Sequence, residues 1–328
     1  MKLKRFIAYA SAVFGIVLCG CANDNGTIDT ITLKAGFSTG ASDPRVIATE
    51  MFKEEVEKNT DGRITIEIYP DSELGADSEL IDGIVNSTVD ITASSAGNFA
   101  NYDPNVGISA FPFLFNSFED AWFFVDGEVE ERAEANLGEC NIKVLAHYDN
   151  GFRCITTSES YGPIEKVSDM DGLNIRVPEN QIVTQTMLLL GAQPRTLPFN
   201  ELYAALESGE FEAQENPIPV IYNSKLYEVQ KNLAITNHSY DVMLFVIRKD
   251  IWDRLTKEDK AIIEKAALNA QEKNRELIKE QTEEYVFELK ELGMNITNPN
   301  LYEFRKATAK SVEIFRDTYD ADLLNLIR

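Results

Sequence analysis

The sequence predicts an α/β protein made of two α/β domains, and three patterns support this fold class. Residues 31–93 alternate between strand-like and helix-like stretches, an order typical of a parallel sheet covered by helices on both faces. A second stretch with the same alternation begins at Gly172. A helical pattern then runs from Thr256 to Gly293 without an internal Pro or Gly. At a rise of 1.5 Å per residue, this helix would be about 50 Å long. Because a small domain is narrower than that, we expect the helix to run along both lobes.

The first domain opens with elements whose apolar positions indicate their type. The first strand has apolar side chains at alternate positions, which are Ile31, Leu33 and Ala35. Asp43 and Pro44 are suited to begin a helix, and the apolar face of this helix is formed by Val46, Ile47, Met51 and Phe52. The pattern then predicts a strand over residues 63–68, a helix over residues 77–86 and a strand over residues 89–93.

Polar residues follow these strands at the edge of the sheet where ligands gather in parallel α/β folds. Ser38 follows the first strand, Ser95 follows the third, and Asn98 comes just after it. Asp77 begins the second helix. Short hydroxyl and amide side chains at strand ends suit hydrogen bonds to ligand hydroxyls, although ordinary loop capping would explain any one of them as well. We therefore take these four residues as candidate ligand contacts.

The remaining elements are predicted from the same periodicities. The aromatic run over residues 111–115 is expected in the core, and Asn200 is a plausible N-cap. Helices are predicted over residues 118–137, 180–190, 201–206 and 222–229 and over most of the chain from residue 301. Strands are predicted over residues 142–146, 211–214, 232–236, 241–248 and 295–297, with a turn or crossing point at residues 149–151.

Arg176 is the lone charge in a short extended run, between Ile175 and Val177. A guanidinium offers five donors in a rigid fork that matches a carboxylate bidentately, so Arg176 is suited to bind a small acid. Asn216 precedes Pro217, and its amide can donate to and accept from an oxygen-rich ligand. The alternative for Arg176 is a structural ion pair, which is the more frequent role of an arginine on a strand.

The order of these pieces adds to the argument. An arginine on a strand, then a helix, then Pro-Phe-x-Glu-x-Tyr-x-Ala-Leu over residues 198–206, then Gln-Glu-Asn-Pro over residues 214–217, resembles the substrate-binding subunit of tripartite ATP-independent periplasmic (TRAP) transporters, of the C4-dicarboxylate-binding type. The resemblance covers nearly the whole mature chain. It implies a two-lobed fold like that of periplasmic binding proteins, with hinge strands between the lobes. It also implies the membrane subunits of a TRAP transporter as partners.

The resemblance also implies roles for individual residues. Arg176 would form the salt bridge to the ligand carboxylate, with Asn216 and Phe199 beside it, and Arg153 would be the second binding arginine. In the sialic-acid-binding branch, an acidic and a basic residue stand at the positions of Ser95 and Asn98. Because this chain departs from that pattern at both positions, sialic acid is disfavoured. C4-dicarboxylates and sugar acids such as uronates both remain open as ligands.

The N-terminus predicts export. Lys2, Lys4 and Arg5 precede an apolar stretch over residues 6–18 that is too short to span a bilayer. The sequence Leu-Cys-Gly-Cys at residues 18–21 fits a lipoprotein signal, so we expect Cys21 to be lipidated on the periplasmic side or the outer face of the cytoplasmic membrane; cleavage without lipidation is the alternative. The expected organisation is a signal peptide at 1–20, a tether at 21–29, domain I at 30–150 plus 242–275, and domain II at 151–241 plus 276–328.

Composition narrows the function classes. The formal net charge of −23 argues against nucleic acid as a partner. The chain has two histidines and no metal-binding motif, so we expect no metal, no cofactor and no enzyme activity. A ligand-sensing subunit of a receptor remains an alternative, and an exported α/β hydrolase is a weaker one because neither histidine has an evident nucleophile partner. Cys140 and Cys154 could form a disulfide or remain thiols, and we expect a monomer.

Overall fold

The structure is a computed structural model that describes residues 28–327. The predicted signal peptide, most of the predicted tether and the lipidation candidate Cys21 lie outside these residues. Within residues 28–327, nine strands form a single sheet that extends through both lobes. No described helix is both long enough and apolar enough to cross a membrane.

The first lobe begins with the alternating elements that the sequence predicts. These are β1 (Ile31–Gly36), α1 (Pro44–Asn59), β2 (Ile64–Tyr69), α2 (Asp77–Val85) and β3 (Ile91–Ser95). β1 pairs in parallel with both β2 and β3. Asp43 caps α1 by accepting a hydrogen bond from the backbone N–H of Arg45 at 2.9 Å, as expected. The buried face of α1 differs from the prediction, because Ile47 is 36% exposed and Thr49 is buried in its place.

The segment after β3 consists of short turns of helix. Two 3₁₀ helices (Ala96–Asn101 and Pro104–Ala110) precede α3 (Phe118–Val125) and α4 (Glu128–Ala133). The prediction of one helix over residues 118–137 was wrong, because Gly127 adopts an extended conformation and begins a new helix. Phe111 and Phe115 are buried in the core, as predicted. The segment leads into the long strand β4 (Ile142–Thr157).

The second lobe repeats the α/β alternation. Its elements are β5 (Asn174–Val177), α5 (Gln181–Leu189), β6 (Gln193–Thr196), α6 (Phe199–Glu207), β7 (Ala213–Pro217) and α7 (Ile218–Asn223). β6 was not predicted, and α6 begins after Pro198, so Asn200 is not its N-cap. The helix predicted over residues 222–229 is absent, because α7 ends at Asn223 and a short 3₁₀ turn (Leu226–Glu228) follows.

Two long strands carry the chain between the lobes. β4 pairs in antiparallel fashion with β8 (Asn232–Arg248) along most of its length. The sheet order is β2-β1-β3-β8-β4-β7-β5-β6, so these two strands lie between the strands of the two lobes. A turn at residues 149–151 does not form, because the strand continues through a register shift at Gly151, whose φ is +104°. Residues 149–151 are thus a crossing point.

The C-terminal part is mostly helical and connects the two lobes, and its short strand over residues 295–297 pairs in parallel with β8. It comprises α8 (Lys249–Arg254), α9 (Lys257–Glu291), β9 (Asn295–Thr297), α10 (Leu301–Thr308), α11 (Ser311–Ile314) and α12 (Ala321–Leu326). α9 packs Ile263 and Ala270 into the core of the first lobe and Leu289 into that of the second, so the prediction of a helix along both lobes is confirmed. α12 packs against α4 of the first lobe. The domain boundaries themselves stay a prediction. Cys140 and Cys154 are free thiols.

Candidate functional site

Arg176 is a buried cation in the second lobe that forms no ion pair with any residue in the range 28–327. It lies on β5, between Arg195 on β6 and Gln214 on β7, and is 2% exposed. Its Nε and Nη2 donate to the carbonyl oxygen of Leu197 at 2.9 and 2.5 Å. No carboxylate among residues 28–327 lies within 4.0 Å of its guanidinium nitrogens. Burial lowers the pKa of Arg176 to about 10. The guanidinium is therefore desolvated and has no direct counter-charge.

Arg176 opens onto a cavity of about 280 Å³ between the two lobes. Four of the eight candidate ligand contacts line this cavity: Arg176 and Phe199 from the second lobe, and Asp77 and Asn98 from the first. The other lining residues are Ala76, Ser78, Pro178, Glu179, Thr196, Leu197 and Pro198. Sequence analysis missed Thr196 and Leu197 because β6, a polar strand that contains a proline, shows no alternation. Glu179 was missed although it stands three residues after Arg176.

Asp77 is fixed by two serines behind the cavity wall. Ser38 Oγ donates to Asp77 Oδ1 at 2.9 Å, and Ser94 Oγ donates to the same oxygen at 2.7 Å. Within residues 28–327, Asp77 Oδ2 accepts no hydrogen bond from another side chain. Ser38 was expected to touch a ligand, and in the structure its hydroxyl donates to Asp77; its contact with a ligand stays a prediction.

Asn98 contributes an acceptor that the protein leaves unused. Its Oδ1 atom is buried and has no hydrogen-bond partner among the described residues. Buried polar atoms are nearly always paired, so an unpaired one beside a cavity indicates that a partner is supplied from outside the protein.

Arg153 is also buried, but its charge is compensated. Its Nη2 donates to Glu215 Oε1 at 2.8 Å and its Nη1 to Asp241 Oδ2 at 2.5 Å, while its Nε contacts Glu215 Oε2. Burial would lower the pKa of Arg153, but the charges of Glu215 and Asp241 outweigh burial and raise it. Arg153 Nη2 also donates to Asn216 Oδ1 at 3.2 Å. Neither Arg153 nor Asn216 lines the cavity at Arg176.

We call Arg153, Glu215, Asp241, Asn216 and Ser95 the base network. Ser95 Oγ, at the end of β3, donates to Asp241 Oδ2 at 3.0 Å, so the network connects the first lobe to the second across a crossing strand. Burial would raise the pKa of Glu215, but the Arg153 charge and hydrogen bonds from neighbouring groups hold it below the ordinary value. Three of the predicted ligand contacts therefore form hydrogen bonds within the protein: Ser95 and Arg153 both donate to Asp241, and Arg153 also donates to Asn216. Their contact with a ligand stays a prediction.

His238 adjoins the base network and has structural partners. It is fully buried in β8, its Nε2 lies 3.3 Å from Glu215 Oε2, and its Nδ1 lies 2.8 Å from Thr236 Oγ1. These contacts explain the histidine without a ligand.

One sequence motif favours the hydrolase alternative. Residues 36–40 read Gly-Phe-Ser-Thr-Gly, the spacing of a hydrolase nucleophile elbow around Ser38. A nucleophilic serine needs a base within hydrogen-bond reach. Ser38 instead donates to Asp77, and the partners of His147 and His238 lie elsewhere. The motif therefore lacks the geometry of a catalytic triad. Among residues 28–327, no group of three or more His, Cys, Asp or Glu is arranged to hold a metal ion.

Two α/β lobes, two crossing strands and a cleft with a buried arginine that forms no ion pair among the described residues define a two-lobed binding protein. Comparison with known proteins agrees. The chain belongs to the bacterial extracellular solute-binding protein family 7, whose model matches residues 35–318. It is 32% identical to the 2,3-diketo-L-gulonate-binding periplasmic protein YiaO of Escherichia coli, over 98% of this chain and 96% of that protein.

Solved structures show the same likeness. A TRAP periplasmic solute-binding protein from Polaromonas, bound to D-erythronate, has a TM-score of 0.86 and 32% identity, over 90% of this chain and 97% of that chain. One from Haemophilus influenzae with bound L-gulonate has a TM-score of 0.85 and 30% identity, over 90% and 98% of the two chains. The protein is thus an extracytoplasmic solute-binding protein and not an enzyme, as the sequence predicted. The C4-dicarboxylate subtype stays a prediction.

Proposed function

We propose that the protein captures a small hydroxylated carboxylic acid in the cleft between its lobes and delivers it to a TRAP-type membrane transporter. The observation that supports this most is that Arg176 is buried at the wall of a cavity and has no carboxylate partner within the described part of the chain. A buried charge is costly unless it is paired. A ligand carboxylate would supply the missing pair.

The donors of Arg176 fit this role. A guanidinium has five N–H groups, and two of them are occupied by the carbonyl of Leu197. The three that remain can bind a carboxylate from the cavity side. Asn98 and Asp77 line the same cavity, and each has a side-chain oxygen with spare acceptor capacity, so the rest of the ligand should carry hydroxyl groups that can donate to them. The ring of Phe199 lies beside them and can pack against the carbon chain of the ligand.

The ligands of the similar proteins support a hydroxylated acid as the ligand of this protein. The E. coli relative is named for 2,3-diketo-L-gulonate, and the two structures above contain D-erythronate and L-gulonate. Each of these ligands combines a carboxylate with hydroxyl groups. Among the two ligand classes left open by the sequence, we therefore favour sugar acids over C4-dicarboxylates.

Calorimetric titration of an Arg176→Lys variant tests the salt bridge. Truncating one partner of a buried charge pair costs about 2 to 5 kcal/mol, which corresponds to a roughly 30-fold to several-thousand-fold loss of affinity. Lysine would restore little of this, because a point charge cannot reproduce the planar fork. The acids to titrate come from a thermal-shift screen, in which a ligand at 100 times its dissociation constant adds about 2.7 kcal/mol of stability.

Arg195→Lys is the matched control. Arg195 stands opposite Arg176 in the register of β5 and β6, but it is exposed and lines no part of the cavity. Its replacement should leave the affinity unchanged. Near-normal affinity of Arg176→Lys together with a lowered melting temperature would show that Arg176 is structural, and the proposal would fail.

We also propose that the mature protein is a monomer held at the membrane by lipid on Cys21, and that its domains, with the boundaries expected from the sequence, close over the ligand. The Leu-Cys-Gly-Cys sequence at residues 18–21 supports the anchor. A Cys21→Ser variant, which cannot carry the lipid, should be lost from the membrane fraction of cells. If its distribution matched that of the unaltered protein, the anchor would be rejected.

A further inference from the structure

We infer that Asp77, supported by Glu179, makes the cleft selective for acids with a single carboxylate and turns away dicarboxylates of the same length. This inference rests on the proposed function, because it takes Arg176 as the group that binds the ligand carboxylate. It adds a specificity-determining role for two acidic residues in the same cavity.

The charges around the cavity are the first step of the argument. Arg176 is the one basic residue among the described residues that line it, whereas Asp77 and Glu179 are acidic. One positive and two negative formal charges leave the lining at −1 before any ligand enters. A monocarboxylate pairs directly with Arg176. A dicarboxylate would also bring its second carboxylate into a cavity that already contains the negative charges of Asp77 and Glu179.

The second arginine does not change this balance. Arg153 could have served a second carboxylate, but it is buried against Glu215 and Asp241 and lies outside the cavity lining. Its charge is already compensated by these two carboxylates, so it would attract a ligand carboxylate less strongly than Arg176 does. The second carboxylate of a dianion therefore meets no uncompensated guanidinium among the described residues that line the cavity.

The position of Asp77 makes its charge effective. Ser38 and Ser94 hold Oδ1, so the side chain cannot turn away from the cleft without losing two hydrogen bonds. Asp77 and Arg176 line the same cavity, and the charge of Asp77 raises the pKa of Arg176 whereas burial lowers it. The part of a ligand that extends from Arg176 across this cavity would therefore lie near Asp77.

The chemistry of an acceptor then decides which group is allowed there. An ionised carboxylate only accepts hydrogen bonds. A ligand hydroxyl can donate to Asp77 Oδ2, and a hydrogen bond to a charged acceptor is stronger than a neutral one. A ligand carboxylate in the same place has no proton to donate and is repelled. Like charges brought together at a binding interface suppress the wrong partner.

Calorimetric titration with matched ligand pairs tests this inference. D-gluconate and D-glucarate have the same six-carbon chain and differ only at the terminal group, which is a hydroxymethyl in one and a carboxylate in the other. D-erythronate and meso-tartrate form a four-carbon pair that differs in the same way. For the unaltered protein we expect the monocarboxylate of at least one pair to bind at least about tenfold more tightly than its dicarboxylate partner, which corresponds to about 1.4 kcal/mol.

Variants then assign the preference to the acidic residues. Asp77→Asn should narrow the ratio of affinities at least about tenfold, mainly because the dicarboxylate gains affinity. Glu179→Gln should narrow it less, because Glu179 is exposed and its charge is screened. Glu73→Gln is the control: Glu73 is an exposed acid four residues before Asp77 that does not line the cavity, so the ratio should stay unchanged. Melting temperatures establish that each variant is folded.

The outcomes separate this inference from the proposed function. Equal or tighter binding of the dicarboxylates by the unaltered protein would overturn the inference and leave the proposed function standing. The same holds if neither Asp77→Asn nor Glu179→Gln alters the ratio in folded protein. If no carboxylic acid bound at all, the proposed function would fail, and the inference with it.

Discussion

Replacing Glu215 with glutamine should separate stability from ligand binding in the base network. Glu215 is fully buried, and its carboxylate receives the Nε and Nη2 atoms of Arg153. Glutamine has nearly the same shape but no charge. The change therefore removes one counter-charge of Arg153 without opening a cavity.

The size of the effect follows from burial. Removing one partner of a buried ion pair destabilises a protein by about 3 to 5 kcal/mol. Asp241 still compensates Arg153 after the change, so we expect a loss near the lower end, about 3 kcal/mol. At about 2 °C per kcal/mol for a chain of this size, the melting temperature should fall by about 6 °C.

The assay pairs Glu215→Gln with Glu210→Gln. Glu210 also forms an ion pair with an arginine of the second lobe, Arg195, at 3.3 Å, but both side chains are about half exposed. An exposed pair contributes about 0 to 1 kcal/mol, so the melting temperature of the control should move by about 2 °C at most. If both variants melted alike, burial would not be the source of the stability, and the reasoning would be refuted.

The affinity of Glu215→Gln provides a second readout. After burial, the charge of Glu215 is the largest influence on the pKa of Arg176, and it acts by stabilising the guanidinium charge. Removing this negative charge leaves Arg176 with less compensation, so a ligand carboxylate should bind with equal or higher affinity in the folded variant. A large loss of affinity would contradict this expectation and indicate that Glu215 positions the ligand.

Two further predictions concern lobe contact and pH. A Cβ on Gly97 would lie 1.9 Å from Asn180 Nδ2 across the lobes, and Asn180 cannot move freely because it caps α5, a contact worth about 0.5 to 2 kcal/mol. The added methyl group of Gly97→Ala should therefore hold the two lobes apart and weaken ligand binding about 2- to 30-fold. In small-angle scattering, the ligand-bound variant should have a larger radius of gyration than the ligand-bound unaltered protein. An unchanged profile would exclude a role of this contact in closure. Burial would lower the pKa of His147, but Asp126 and Glu134 raise it to about 10. The stabilisation is thus present below the unfolded pKa of about 6.5 and is lost as pH rises through 10, so the melting temperatures of His147→Gln and the unaltered protein should converge over that interval; a constant difference would contradict this.

The sequence predicts elements well where a local pattern decides them. β1 and α2 were predicted because their apolar positions repeat with the period of their element. At the crossing near Gly151 the local sequence predicts a turn, because Asp149, Asn150 and Gly151 are all residues that favour turns. What keeps it in a strand is pairing with β8, whose partner residue Asp241 is ninety positions away in the sequence. Such pairing has no local signal.

The site shows the same division. Arg153 and Arg176 look alike in the sequence, since each is a charge within an extended stretch. Their difference lies in their partners. Arg153 meets Glu215 and Asp241, which are 62 and 88 residues away, because the sheet order places β7 and β8 on either side of β4. Arg176 lies between β6 and β7, and among the described residues its guanidinium donates only to the carbonyl oxygen of Leu197. Residue type therefore identifies candidate arginines, and topology decides which one keeps free donors.

This difference between the two arginines links stability to binding. Arg153 is paired within the protein, so its charge supports the base network whether or not a ligand is present. Arg176 is desolvated without a direct counter-charge, so the ligand-free protein bears a cost that binding removes. A binding protein that satisfied Arg176 internally would be more stable and would have no reason to take up an anion. The unpaired guanidinium is thus an instance of stability given up for function, and it accounts for why an acid that binds there should raise the melting temperature.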